Sequence, residues 1–209
     1  MVDFKYYQVL NFRHNNPISK TISTVMGHYW THSGIVVDIR GDEIGVLEAL
    51  GTYRDEKYEP KGIYKKFKFL FKIKILFSGK TAVNYYKKTF LERLFEEKRL
   101  KVMDFNIDPK NIVYNRPLLI LQEYIGLPYD YFSVFSIGII RILSLFGKNY
   151  ENHTKTAKKL FCSELVARII KKYTNYNVLE ELGYSSYEEV TPQDISILYH
   201  KLKVKKIIK

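Results

Sequence analysis

The sequence predicts an α+β protein in which an antiparallel sheet packs against a helix that carries the chain's only cysteine. Three observations lead there. Residues 31–39 and 44–50 are β-branched, apolar runs joined by Arg40-Gly41-Asp42-Glu43, which has turn chemistry. Leu165, Val166 and Ile169 follow Cys162 by three, four and seven positions, the spacing of one helical face. Residues 66–75 alternate, with Phe67, Phe69, Phe71, Ile73 and Ile75 on one side and Lys66, Lys68, Lys72 and Lys74 on most of the other. That is the pattern of a half-buried strand with a basic outer face.

Composition bounds the rest. The 209 residues suit a single domain, and at 46% hydrophobic and 15% aromatic the chain can bury a core, which sets it apart from a disordered protein. One cysteine excludes an internal disulfide, so nothing marks an oxidising compartment. The first residues lack the apolar run of a secretory signal. The longest apolar stretch, 132–146, contains Arg141 and falls short of the roughly 20 residues that a spanning helix needs. A cytoplasmic or virion- or host-associated location is therefore expected. The net charge of +12 suits an anionic partner such as a membrane surface, nucleic acid or phosphate-rich polymer, and equally suits a solvated lysine-rich surface.

In chain order, residues 7–12 read as a strand that Asn15, Asn16 and Pro17 end, and 18–26 as a helix opened by that proline. The hairpin of residues 31–50 follows. Residues 52–100 read as a basic insertion or lid, holding the alternating strand and then a helix over 81–100 with Tyr86, Phe90, Leu94 and Phe95 on its apolar face. A strand is expected at 101–107. A helix follows at 109–124, capped by Asp108 and kinked at Pro117. Gly126-Leu127-Pro128-Tyr129-Asp130-Tyr131 is a loop bounded by Gly and Pro, 132–146 an apolar helix, and 147–156 a polar loop that leads to the cysteine helix. Thr191-Pro192-Gln193-Asp194 starts a helix or turn, and 202–209 alternates lysine with apolar residues as an edge strand or basic tail. No GxGxxG, Walker, CxxC or HExxH motif occurs, so neither a cofactor nor a metal is expected.

Cys162 opens its helix with the thiol on the inward face. A helix N-terminus lowers a thiol pKa, although a buried cysteine is as often a small apolar filler. Glu164 suits the positive end of the helix, and Ser163 and Glu164 fall on its other side. His32 stands at the open end of the hairpin and Glu48 on the returning strand; His28, before the strand, is the competing histidine. A three-residue loop or a bulge would bring Glu48 opposite Gly34, one diagonal step from His32 on the same face, whereas a plain two-residue loop would put it on the opposite face.

Taken together, Thr31-His32-Ser33-Gly34-Ile35-Val36-Val37, Leu47-Glu48-Ala49, the 126–131 loop, Phe161-Cys162-Ser163-Glu164-Leu165 and Thr191-Pro192-Gln193-Asp194 resemble, in this order, the circularly permuted papain-like hydrolases of the NlpC-type superfamily. That branch includes a YiiX-like bacterial group and a poxvirus protein, and it runs His, acid, Cys rather than Cys, His. The resemblance covers residues 31–194, without a counterpart for 52–100. It implies a permuted papain-like fold, with Cys162 as nucleophile, His32 as base and Glu48 orienting the imidazole. It also implies an oxyanion donor in the Cys162 N–H, with Tyr129 or Tyr131 as a second substrate-binding group. The leading expectation is cleavage of an amide in a peptide or lipid. The alternatives are a lipid acyltransferase or esterase at a membrane surface, and a non-enzymatic basic module for nucleic acid. Against the last, the aromatics of 66–75 alternate with the lysines and so face a core rather than a ligand.

Overall fold

A computed structural model describes residues 2–15, 19–20, 23–24, 27–50, 79–107, 123–129 and 160–208. The expectations for 66–75, 109–122, 132–146 and 147–156 lie outside these residues. The described chain is α+β. Five antiparallel strands form one sheet in the order β4-β3-β2-β1-β5, with helices on both faces. The strands are β1 (Val9–Phe12), β2 (His32–Arg40), β3 (Glu43–Leu50), β4 (Lys80–Lys87) and β5 (Leu100–Met103). The helices are α1 (Lys88–Glu96), α2 (Cys162–Tyr173), α3 (Val178–Leu182) and α4 (Pro192–Val204). Among the described residues no helix is long and apolar enough to cross a membrane.

The two faces of the sheet bury different layers, as alternation requires. Val9, Ile35, Val37, Leu47 and Ala49 pack with Leu165, Val166 and Ile169 of α2 and Ile195 and Leu198 of α4. Leu10, Phe12, Val36, Ile44 and Val46 pack with Leu91 and Leu94 of α1. Each such side chain, fully buried, contributes about 1.5–3 kcal/mol. Helix α2 is therefore held by packing on β2 and β3 more than by propensity. Its Ser163 and Glu164 are buried as well, against the 187–191 segment rather than solvent.

Of the two alternatives for the hairpin, an odd loop or a bulge, the structure has the bulge. Its loop is the two residues Gly41-Asp42, since Arg40 pairs with Glu43 and Ile39 with Ile44. The register then shifts between Val36 and Asp38, and beyond the shift Val36 pairs with Val46 and Ile35 with Leu47. Val37 is the extra residue of a β-bulge, and it reverses which faces of β2 and β3 coincide.

The stretch 81–100 is corrected. Residues 80–87 form β4, which pairs with β3 at eight positions from Glu43↔Lys87 to Leu50↔Lys80, and only 88–96 are helical. Tyr86 belongs to the strand; on α1 the buried residues are Leu91 and Leu94, while Phe90 and Phe95 are exposed. Thr81, Val83 and Tyr85 alternate with Ala82, Asn84 and Tyr86, and an open β3 edge selects that period over the helical one. Residues 80–100 are thus part of the sheet and its cover. Strand β5 starts one residue earlier and stops four residues sooner than expected. The C-terminal stretch is neither edge strand nor tail to begin with, because α4 runs on to Val204.

Gly34 sits where β2 packs closely on β3. A Cβ there would lie 2.6 Å from Val46 Cγ1, 3.1 Å from the Leu47 carbonyl oxygen and 3.3 Å from Glu48 Cβ. Gly34→Ala is expected to cost about 1–3 kcal/mol through overpacking. Urea unfolding followed by circular dichroism measures this, and a wild-type midpoint would show that the strands have room to spare.

Candidate active site

The bulge places His32 and Glu48 on one face. Continuing the Ile35↔Leu47 register sets Glu48 opposite Gly34, and with no side chain on Gly34 the carboxylate leans diagonally over to His32. His32 Nε2 lies 2.6 Å from Glu48 Oε2. The other oxygen, Oε1, accepts from Asn84 Nδ2 at 3.0 Å and from the Tyr86 hydroxyl at 2.5 Å. Both donors come from β4, where Asn84 pairs with Val46 and Tyr86 with Ile44, on the face that Glu48 shares. Ala82, directly across from Glu48, is small enough to leave the carboxylate room. Glu48 is 0% exposed, and these three partners compensate its burial.

Cys162 is the first residue of α2, after Phe161 in extended conformation. Its thiol is close enough to the His32 ring and to the backbone N–H groups of Ser33 and Ser163 for each of them to favour its charged form. Glu48 occupies Nε2, so Nδ1 is the ring nitrogen left for the sulfur. Cys162 and His32 are 5% and 7% exposed. Burial works against charge on both groups. On His32 it is opposed by the Cys162 and Glu48 charges and hydrogen bonds, which push the imidazole up to about 10. On Cys162 burial is opposed by the His32 charge, the His32 hydrogen bond and the two backbone donors, which together bring the thiol below its ordinary value. The arrangement favours a thiolate–imidazolium pair steadied by a buried carboxylate.

A second network fixes this corner. Ser33 Oγ donates to Asn11 Oδ1 at 2.6 Å, and Asn11 Nδ2 donates to the Pro192 carbonyl at 2.6 Å. Ser163 Oγ donates to the Val190 carbonyl at 2.7 Å. Thr191 caps α4 with Asp194 in a reciprocal capping box, so the Thr191-Pro192-Gln193-Asp194 motif starts a helix, and Pro192 and the preceding Val190 anchor the two flanks of the thiol. Glu164 accepts from Arg168 Nε and Nη2 at 2.9 and 2.7 Å. Burial, opposed by Arg168, raises its carboxyl to about 7, so it is not simply a charged helix-start residue.

Of the residues singled out from sequence, the structure brings Cys162, His32 and Glu48 together. Tyr129 forms an isolated bridge with Leu160, two residues before Cys162, and its half-buried side chain packs on the main core. Tyr131 lies outside the described residues. Sequence reasoning passed over Asn84 and Tyr86, because they fall in the stretch read as a helix, and over His14. The histidine that approaches the site is His14, not His28. Its ring stacks on Phe12 and its centroid is 5.6 Å from that of His32. Burial and then the His32 charge lower its pKa to about 4, which keeps it neutral. Among the described residues no three His, Cys, Asp or Glu side chains gather as a metal site requires. No family model matches the chain, and no curated protein matches it.

A lowered thiol pKa leaves thiolate present at pH values where a free thiol of pKa about 8.5 is protonated. Cys162 is expected to react with iodoacetamide at pH 6 far faster than free cysteine does. Glu48→Gln removes a charge that supports the imidazolium, so an NMR titration of the His32 ring should show its proton lost at lower pH than in the wild type. An unshifted curve would show that the carboxylate does not act on the pair.

Proposed function

We propose that the protein is a thiol-dependent hydrolase that cleaves an amide bond, in a peptide or a lipid, through an acyl-enzyme on Cys162. One observation carries this reading: a helix-start thiol neighbours an imidazole, and that imidazole is held at 2.6 Å by a buried carboxylate. Nucleophile, base and orienting acid in that order are the minimum set for acyl transfer. The resemblance to the permuted papain-like hydrolases of the NlpC-type superfamily points the same way. It rests on His32, Glu48 and Cys162 occurring in the permuted order, on an antiparallel sheet, and on the helix that the cysteine opens.

In this reading the Cys162 thiolate attacks the carbonyl carbon and forms a C–S bond, while the carbonyl electron pair moves to oxygen. The Cys162 N–H, at the first position of α2, has no carbonyl of its own helix to bond and is placed to hold that oxyanion. The His32 imidazolium gives its proton to the leaving nitrogen as the C–N bond breaks, and a thioester remains. Water then adds to the thioester and gives a proton to His32. The C–S bond breaks, releasing the acid and restoring the thiolate. Glu48 keeps the ring in one orientation throughout, and Asn84 and Tyr86 keep Glu48 in place. Tyr129 and Tyr131 are the proposed substrate contacts.

Hydrolysis of a fluorogenic peptide amide and of an N-acyl lipid amide tests the reading. Cys162→Ser and His32→Ala should each lower the rate on the order of 10⁴-fold or more, with the circular dichroism spectrum kept. Hydrolysis that survives Cys162→Ser would remove the thiol from the chemistry.

A further inference from the structure

The first turn of α2 holds a second buried carboxyl, outside the chemistry proposed for Cys162. Glu164 is 1% exposed and stands two residues after the thiol. Arg168, one turn further on, donates to it from Nε and Nη2, and both bonds fall on the same oxygen, Oε1, at 2.9 and 2.7 Å. A guanidinium and a carboxylate ordinarily pair fork to fork, with one bond to each oxygen. Here Oε2 is buried and has no hydrogen-bond partner. A charge on Glu164 is therefore compensated on one oxygen only, and a buried carboxylate in that position favours taking a proton.

Arg168 has a second acid close by. Its Nη2 lies 3.9 Å from Glu188 Oε1, in the one-turn helix Tyr187–Glu189, and its guanidinium lies 4.9 Å from the Tyr187 ring centroid. The neighbouring Glu189 is turned away to Ser185 and Ser186. Burial is the main cause that raises the Glu164 carboxyl to about 7; Arg168 and the Phe161 N–H oppose it, and the Glu188 charge adds to it. One cation thus stands between two acids, and the buried acid loses its charge first as pH falls.

We propose that Glu164, Arg168 and Glu188 form a proton-operated latch between α2 and the 187–191 segment. With Glu164 ionised, Arg168 stays on its own helix. With Glu164 protonated, the guanidinium loses its charged partner there and passes to Glu188, which ties the segment to α2. The Val190 and Pro192 carbonyls, further along the same stretch, hold Ser163 and Asn11, so the latch bears on the corner that contains the thiol. It does not depend on whether Cys162 is catalytic.

Carbon-13 NMR of the glutamate carboxyls in the wild-type chain tests the latch. Glu164 should titrate near pH 7, against about 4.3 for a free glutamate. The Arg168 Nε–H signal should shift with the same midpoint. Glu188→Gln removes the receiving acid, so the Glu164 midpoint should fall and the Arg168 shift should shrink. Stability is an independent readout. A carboxyl whose pKa is raised on folding makes stability fall as pH rises from about 4.3 to about 7, and the lower level persists above. Glu164→Gln cannot ionise, so the excess of its urea midpoint over that of the wild type should be larger at pH 8 than at pH 5. If either variant fails to fold, the wild-type titration still decides. A Glu164 midpoint in the ordinary carboxylate range would overturn the proposal. So would an Arg168 signal that stays still while Glu164 titrates, or the same difference in urea midpoint at both pH values.

Discussion

A carboxylate with no exposed surface stands in the middle of a β-sheet, and much of the described architecture can be traced to keeping it there. Glu48 could not be buried alone, since desolvating an unpaired charge costs more than any one contact returns. It is stable because His32, Asn84 and Tyr86 each present a donor to it. Each donor needs a structural condition. His32 requires the bulge at Val37, which brings its face of β2 into line with that of β3. It also requires the missing side chain of Gly34, across which the carboxylate leans. Asn84 and Tyr86 require β4 to pair in full register with β3. Losing any of these would leave a buried acceptor short of a donor, a penalty of about 1–3 kcal/mol for each group.

The carboxylate also explains how a buried thiol can be charged. Burial disfavours both thiolate and imidazolium, so neither would form singly in this corner. Paired, and with Glu48 behind the ring, each stabilises the other. The thiol gains two backbone donors, one from the start of its own helix and one from Ser33. The Ser33 side chain is tied through Asn11 to Pro192, and Ser163 to Val190, so the capped start of α4 steadies the sulfur from behind. Helix α2 and strand β2 therefore meet at a point fixed by hydrogen bonds as well as by packing. His14 adds a neutral ring beside the charged one; a second cation there would weaken the pair.

The antiparallel hairpin, the helix that begins at Cys162 and the helix start at Thr191 were all legible, because each has a local signature. These are β-branched runs around a Gly-Asp turn, a helical apolar spacing, and a capping residue followed by proline. The three central site residues could be named for the same reason, since each sits at the edge of such an element. Strand β4 was not legible. Residues 80–87 have no strong local preference, and the edge of β3 offered eight pairing positions that the chain's own pattern does not announce. With β4 went Asn84 and Tyr86, and so the way in which Glu48 is satisfied.

The sequence by itself determined that a thiol would open a helix, that a histidine would open a strand, and that an acid would lie on the next strand, because these follow from contacts within a few residues. It also posed the right alternative for Glu48, a loop of odd length or a bulge, without choosing between them. Only the tertiary structure made that choice, with a two-residue loop and an extra residue at Val37. Whether an added residue sits in a loop or within a strand depends on how both strands pack against α1 on one face and α2 on the other. That balance is set by side chains scattered over the whole chain, and no local pattern encodes it.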